Sequence, residues 1–320
     1  GSVIEYLDRR SRPPRDFPSY LYLPNRLGHL QGYDRTGQYG GWLGQAYNAL
    51  ATDIRKRRPG DNPYFRDCTD EDLDFRIKGL DDAITLDRLD GRRGLLEQFE
   101  TGRLQLDRGK ALDTYDAMRR RALALVTSEK VRTALDIRRE PGRLRDRYGR
   151  HLFGQSVLMG RRLVEAGARF VTVAWDAPDG YSWDSHIHSR DVQKHLLPGL
   201  DQALSALLED LQARGLLDET LVVCLGEMGR TPKGTPEWGR GHWSFCFPAL
   251  LAGAGIRGGI VYGRSDKDAG YPVDRPVSPE DLAATIFTAL GLDPHSTIAD
   301  RQGRPVALVE GGRPLRELFA

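Results

Sequence analysis

Apolar positions along the chain change their period several times, and each change marks an element. Val3, Ile4 and Leu7 predict a short opening helix that the Pro13-Pro14 pair ends, and YLYL at 20 to 23 predicts a strand. Residues 28 to 50, rich in Gly and Tyr, read as a loop packed over other structure. From Asp81 to Val126 the spacing is helical and heavily charged, with Leu86, Leu89, Leu95, Leu96 and Phe99 in one stripe and Tyr115, Met118, Ala122 and Leu125 in a second. Thr127-Ser128-Glu129 then reads as a helix start, with Val131, Ala134 and Leu135 inside it. FGQSVLMGRRLVEAG at 153 to 167 predicts an amphipathic helix ended by Gly167, and the β-branched run ARFVTVAW a buried strand. Leu196, Leu200, Ala203, Leu204, Leu207, Leu208 and Leu211 predict another helix, with Pro198 near its start and Gly215 beyond its end. Strands TLVVCL and FPALLAG follow, and Ser278-Pro279-Glu280-Asp281 caps a last helix running to Leu290.

Residues 81 to 140 lack any strand signal while both flanks show one, so they read as a solvent-facing helical insertion. Elsewhere strands alternate with helices, which predicts an α/β fold with a mainly parallel sheet covered on both faces. A chain of 320 residues accommodates this as one large domain, residues 1 to 320. Ligands of such sheets bind outside the carboxyl ends of the strands.

Composition narrows the partners. Lys plus Arg number 47 against 45 Asp plus Glu, a net +2 that gives no reason to expect nucleic acid or an anionic membrane. The arginine-rich stretches RRSRPPR and MRRRALA read as solvated surface. With 39% hydrophobic and 29% charged residues the chain has the makings of a core. Cys68, Cys224 and Cys246 lack CxxC spacing and suggest neither a disulfide framework nor a zinc knuckle, and Cys224 reads as a small core residue. No apolar run reaches 18 residues, so no membrane span is predicted, and the opening residues carry no signal-peptide pattern.

The residues that carry chemistry gather at predicted strand ends. Asp184, His186 and His188 follow one strand, Glu227 ends another, and His242 precedes a third. Burying or clustering several ionisable groups is costly unless they are paired or bind metal. Imidazole with carboxylate suits zinc or manganese, whereas a site for calcium or magnesium alone is nearly all oxygen. Arg230 and Arg240 add planar, permanently charged donors suited to a tetrahedral oxyanion. The remaining histidines, His29, His151, His195 and His295, read as structural, and a Glu227–Arg230 salt bridge is the plain alternative for that pair.

WDSHIH, LLPGLDQALSALLEDLQARGLLDETLVVCLGEMGRTP, GRGHW, ALLAGAGIRGGIVYGRSD and PVSPEDLAATIFTALGLD closely resemble the bacterial domain-of-unknown-function 1501 family, of the sulfatase and alkaline phosphatase superfamily. The likeness continues upstream through RDRYGRHLFGQSVLMGRRLVEAGARFVTV and faintly to GSVIEYLDRR. It implies an alkaline-phosphatase-like doubly wound sheet and metal-dependent hydrolysis of phosphate or sulfate esters, with a small-molecule or polysaccharide ester as substrate. One superfamily metal takes an Asp and two His, for which Asp184, His242 and either His186 or His188 are the matching candidates. Asp-x-x-x-His spacing selects His188 and the family's Trp-Asp-x-His pattern selects His186, the first choice. Glu227 stands where many members carry an Asp-His pair for a second metal, and is expected to act as ligand or base. Family members also carry, ahead of the part matching GSVIEYL, a strand with a Gly-Gly-Pro-Ser-like motif and an Asp-rich segment, often behind an export signal. The resemblance therefore implies an exported protein of which residues 1 to 320 are the larger, C-terminal part. Two other readings compete. One is a non-catalytic relative that binds sulfated or phosphorylated glycans or serves in assembly. The other, an amidohydrolase barrel using His186 and His188, wants about twice the strand-helix units predicted here.

Overall fold

A computed structural model describes residues 1–10, 17–32, 35–77, 128–176, 183–187 and 189–320. They group into two compact units, Gly1–Gly142 with Leu158–Trp175, and Arg143–Val157 with Asp176–Ala320. Helices and strands are mixed in both, as an α/β reading requires.

The first unit is built around β1 (Tyr20–Leu23), which lies between β2 (Leu50–Ala51) and β3 (Phe170–Val173) and runs parallel to both. All four residues of β1 are buried, which is why YLYL carries no polar alternation. Helix α1 (Ser2–Asp8) buries Ile4 and Glu5, and the Glu5 carboxylate accepts hydrogen bonds from the Ser19 and Tyr20 amides at 3.1 Å each, anchoring the start of β1. Residues 28 to 50 form short 3-10 turns at His29–Gln31, Gly41–Leu43 and Gln45–Tyr47.

Of the predicted insertion, residues 81 to 127 lie outside the described residues. Its end is α2 (Glu129–Leu135), where the Ser128 side chain accepts from the Val131 amide as the predicted cap. Arg162 donates to the carbonyls of Thr133 and Ala134 at 2.6 and 2.9 Å, satisfying the last turn of α2.

Helix α3 (Gly142–Tyr148) is followed by α4 (Leu152–Glu165), the predicted amphipathic helix. Gly167 (φ 111°) ends it, with the Ala168 amide on Leu163 O and the Gly167 amide on Val164 O. Gly160 lets α4 approach β3 closely, since a Cβ there would lie 3.1 Å from Val173 Cγ2.

The second unit differs in strand direction. Strand β4 (Val222–Leu225) pairs antiparallel with β7 (Ala249–Ala252), and β5 (Gly229–Arg230) pairs antiparallel with β6 (His242–Trp243). Antiparallel pairing also joins β8 (Arg264–Ser265) to β9 (Pro272–Asp274) and β10 (Thr297–Ala299) to β11 (Pro305–Ala307). Among the described residues, parallel pairing is confined to the first unit. The reason is local: residues 226 to 248 carry no crossover helix, so the chain leaving β4 folds into the β5–β6 ribbon and returns beside β4 in the opposite sense. Cys224, expected in the core, is only half-buried, because this two-stranded sheet leaves one side exposed at Leu225 and Leu250.

Helix α5 (Leu197–Ala213) has Pro in its first turn and buries Ala203, Ala206 and Leu211, and Asp210 on it accepts from the Tyr148 hydroxyl at 3.0 Å. Helix α6 (Pro279–Ala289) opens with the predicted capping box of Ser278 and Asp281.

Candidate metal centre

The β5–β6 ribbon and residues 183–187 build the site. In the ribbon Gly229 stands opposite Trp243 and Arg230 opposite His242, so Arg230 and His242 share one face. Only glycine fits at 229, because a Cβ would come within 2.1 Å of the Cys246 carbonyl oxygen. The loop joining β5 to β6 then lies along the segment bearing Asp184 and His186. The Arg240 amide donates to Ser185 O at 3.1 Å and the Ser189 amide to Trp238 O at 2.8 Å. Between them Gly239 is in backbone contact with His186, where a Cβ would sit 1.4 Å from the His186 oxygen.

This pairing focuses three side chains on one point. His242 Nε2 lies 2.9 Å and His186 Nε2 3.0 Å from Asp184 Oδ1, and the two imidazole nitrogens are 3.1 Å apart. Among the described residues, Asp184, His186 and His242 are the His, Cys, Asp and Glu side chains that form such a group. Three near-equal separations of this size match the edge between neighbouring ligands around an ion about 2.1 Å from each in octahedral geometry, about 3.0 Å. Each side chain is half-exposed, at 57%, 50% and 55%, leaving one side of the group open. The donor set therefore fits a divalent ion with open positions.

Arg230 Nη2 donates to the same Asp184 oxygen at 2.7 Å. Burial alone would raise the pKa of Asp184, but the hydrogen bonds from His242 and Arg230, with the nearby charge of Arg230 and His186, outweigh it and bring the carboxyl down to about 2. Asp184 is thus a carboxylate at any ordinary pH, the state a metal ligand needs.

The other predicted residues fall differently. Glu227 is exposed beyond the end of β4 and does not join the group. Arg240 turns its guanidinium onto the loop, donating to the carbonyl oxygens of Thr231 and Pro232, and so braces the ribbon. His188 lies outside the described residues. His29 pairs with Asp53 at 3.2 Å, and His151 Nδ1 accepts from the Gly154 amide at 3.2 Å.

One residue escaped the sequence reading. Trp238 is 61% exposed and has φ 61°, a left-handed backbone that costs a non-glycine residue about 1 kcal/mol or more. Its signal was an aromatic between Pro236 and Gly239 in a loop otherwise made of polar and small residues.

Among the described residues no helix is long and apolar enough to cross a membrane. The family model described as "Protein of unknown function (DUF1501)" matches residues 1–319. No curated protein and no solved structure matches the chain.

Proposed function

From the premise that the chain belongs to the DUF1501 family, we propose that it is a metal-dependent hydrolase of phosphate or sulfate esters, on an alkaline-phosphatase-like doubly wound fold. The observation that carries this reading is the convergence of His186 Nε2, His242 Nε2 and Asp184 Oδ1 within about one hydrogen-bond length of one another. Asp184, His186 and His242 would hold the ion, with zinc or manganese favoured by two imidazoles and one carboxylate. Bound there, it supplies Lewis-acid polarisation of an ester oxygen.

The chain's own residues do the rest. Arg230 donates to Asp184 and so orients the carboxylate, as outer partners of metal ligands commonly do. From the same face of the ribbon its planar guanidinium is a donor for the oxygens of a sulfate or phosphate group. Arg240 acts at one remove, holding Thr231 and Pro232 so that Arg230 and His242 stay opposite each other. Glu227, exposed just after β4, would serve as acid or base.

The test is hydrolysis of 4-nitrophenyl phosphate and 4-nitrophenyl sulfate by the chain supplied with zinc or manganese. Turnover that chelator abolishes, metal restores and His242→Ala lacks supports the proposal. Metal bound at stoichiometry with no turnover of either ester, or of sugar esters, favours a second reading, a non-catalytic module that binds sulfated or phosphorylated glycans. The placing of Glu227 outside the ligand group is the observation on its side.

A further inference from the structure

Trp238 holds the most exposed aromatic side chain among the described residues, at 61%, in a backbone conformation that bulky residues adopt only when their surroundings impose it. The imposing contacts belong to the metal cluster's own scaffold. Its amide donates to Thr235 O at 3.0 Å, its carbonyl accepts from the Ser189 amide at 2.8 Å, and the following glycine packs on the backbone of His186. The backbone that carries the indole is therefore held by the same pairing that positions a proposed ligand.

Two further side chains complete the picture. The Arg190 guanidinium lies over one face of the Trp238 ring, 5.4 Å from its centroid, and is itself exposed. Ile187, directly after His186, is 56% exposed. Exposed apolar side chains thus stand on both paired segments, one of which also carries Asp184 and His186. The complementary ligand carries an anion for the cluster and, attached to it, a ring with an apolar face and hydrogen-bonding edges.

We propose that Trp238 is the ring-stacking subsite of this centre, and that the ligand is a sugar ring bearing a sulfate or phosphate ester. The apolar face of the ring would lie on the indole face that Arg190 leaves open, with its hydroxyls reaching the guanidinium at the indole edge. A plain aromatic ring would stack equally well but would leave the Arg190 donors unused, which is why a sugar is preferred. This rests on the reading of Asp184, His186 and His242 as the centre that receives the anion.

Binding titrations of the full, metal-loaded chain test it, with glucose 6-sulfate, glucose 6-phosphate, 4-nitrophenyl sulfate, inorganic sulfate and inorganic phosphate as probes. The wild type is expected to bind each sugar ester about tenfold more tightly than the matching inorganic anion. Trp238→Ala should erase that margin and leave inorganic anion affinity and metal content unchanged, whereas Trp238→Phe keeps most of it. Equal sugar-ester binding by wild type and Trp238→Ala overturns the subsite, as does a wild type with no margin over the inorganic anion. A Trp238-dependent margin for the nitrophenyl ester alone overturns the choice of sugar. Sugar-ester binding that needs Trp238 but survives His186→Ala and His242→Ala upholds the subsite and defeats the metal-centred reading instead.

Discussion

Each unit of the chain holds a cluster of arginine and aspartate, and the two are built on opposite principles. In the first unit Arg66 grips Asp61 at 2.7 Å and Asp72 at 2.8 Å, while Arg57 holds both oxygens of Asp72 at 2.6 Å. The Thr69 amide adds a further bond to Asp72 at 2.7 Å. The two carboxylates are 9% and 5% exposed, so the network is closed: planar guanidinium forks answer planar carboxylates. In the second unit Arg230 and two imidazoles all press on the single oxygen Asp184 Oδ1, and the group is half-exposed. Two imidazole nitrogens 3.1 Å apart share room for one proton between them, or for a cation that accepts both lone pairs. A closed network of matched charges holds a loop; an open one keeps donor atoms of the kind an ion would need.

The comparison breaks first, and most visibly, at Arg66. Arg66→Ala strands Asp61 and Asp72 with only Arg57 to offset them, and should cost about 3 kcal/mol, the lower end for a broken buried pair because Arg66 is 24% exposed. Urea unfolding measures this, and metal binding by the variant should match the wild type. Next, His186→Ala or His242→Ala should lower zinc affinity by at least about 100-fold, more than the loss of an outer partner, while changing metal-free stability by under about 0.5 kcal/mol. A large loss of metal-free stability would mean that this cluster, too, is structural.

Gly239→Ala sharpens the contrast without touching a charge. Its methyl has nowhere to go beside the His186 carbonyl, so the paired segments must part and zinc affinity should fall by roughly 10- to 100-fold. The smallest effect is one of pH. Burial pushes the Asp72 carboxyl up, but the bonds from Arg66, Arg57 and Thr69 win and hold it far below the usual carboxylate range; the hydrogen bond from Arg66 also lowers Asp61. Depressed folded values mean that this stability is complete above the unfolded carboxylate pKa of about 3.9 and drains away as pH falls toward the folded ones. Unfolding free energies between about pH 5 and 2 should therefore fall less steeply in Arg66→Ala than in the wild type.

Elements with strong local signals were legible in the sequence. Helix α4 and its Gly167 end, the buried YLYL strand, and the Ser128 and Ser278 caps follow from periodicity and hydrogen-bonding side chains within a few residues of each other. Asp184, His242 and, ahead of His188, His186 were legible as candidates through their residue types and the family pattern, and the structure groups these three. Strand direction in the second unit was not, because alternation along β4 and β7 carries no sense of direction. Nor was the Arg57–Arg66 network, whose members sit in irregular chain with no period to reveal partners 5 to 15 residues apart. Arg161, on α4, is fully buried against Glu140 at 2.8 Å and Glu165 at 2.5 Å; the second pair follows from i,i+4 spacing, and only the folded chain discloses the first. Arg240 was read as an oxyanion donor from its charge, whereas its bonds go to carbonyls that no motif announces.

On this reading the open cluster takes a metal ion and the closed one does not. Calorimetric titration of the metal-free chain with zinc and with manganese tests it most directly, with His186→Ala, His242→Ala and Arg66→Ala measured alongside. One ion bound per chain by the wild type and by Arg66→Ala, and lost in both histidine variants, is the predicted result. No binding by the wild type, or binding that persists unchanged in both histidine variants, would contradict it.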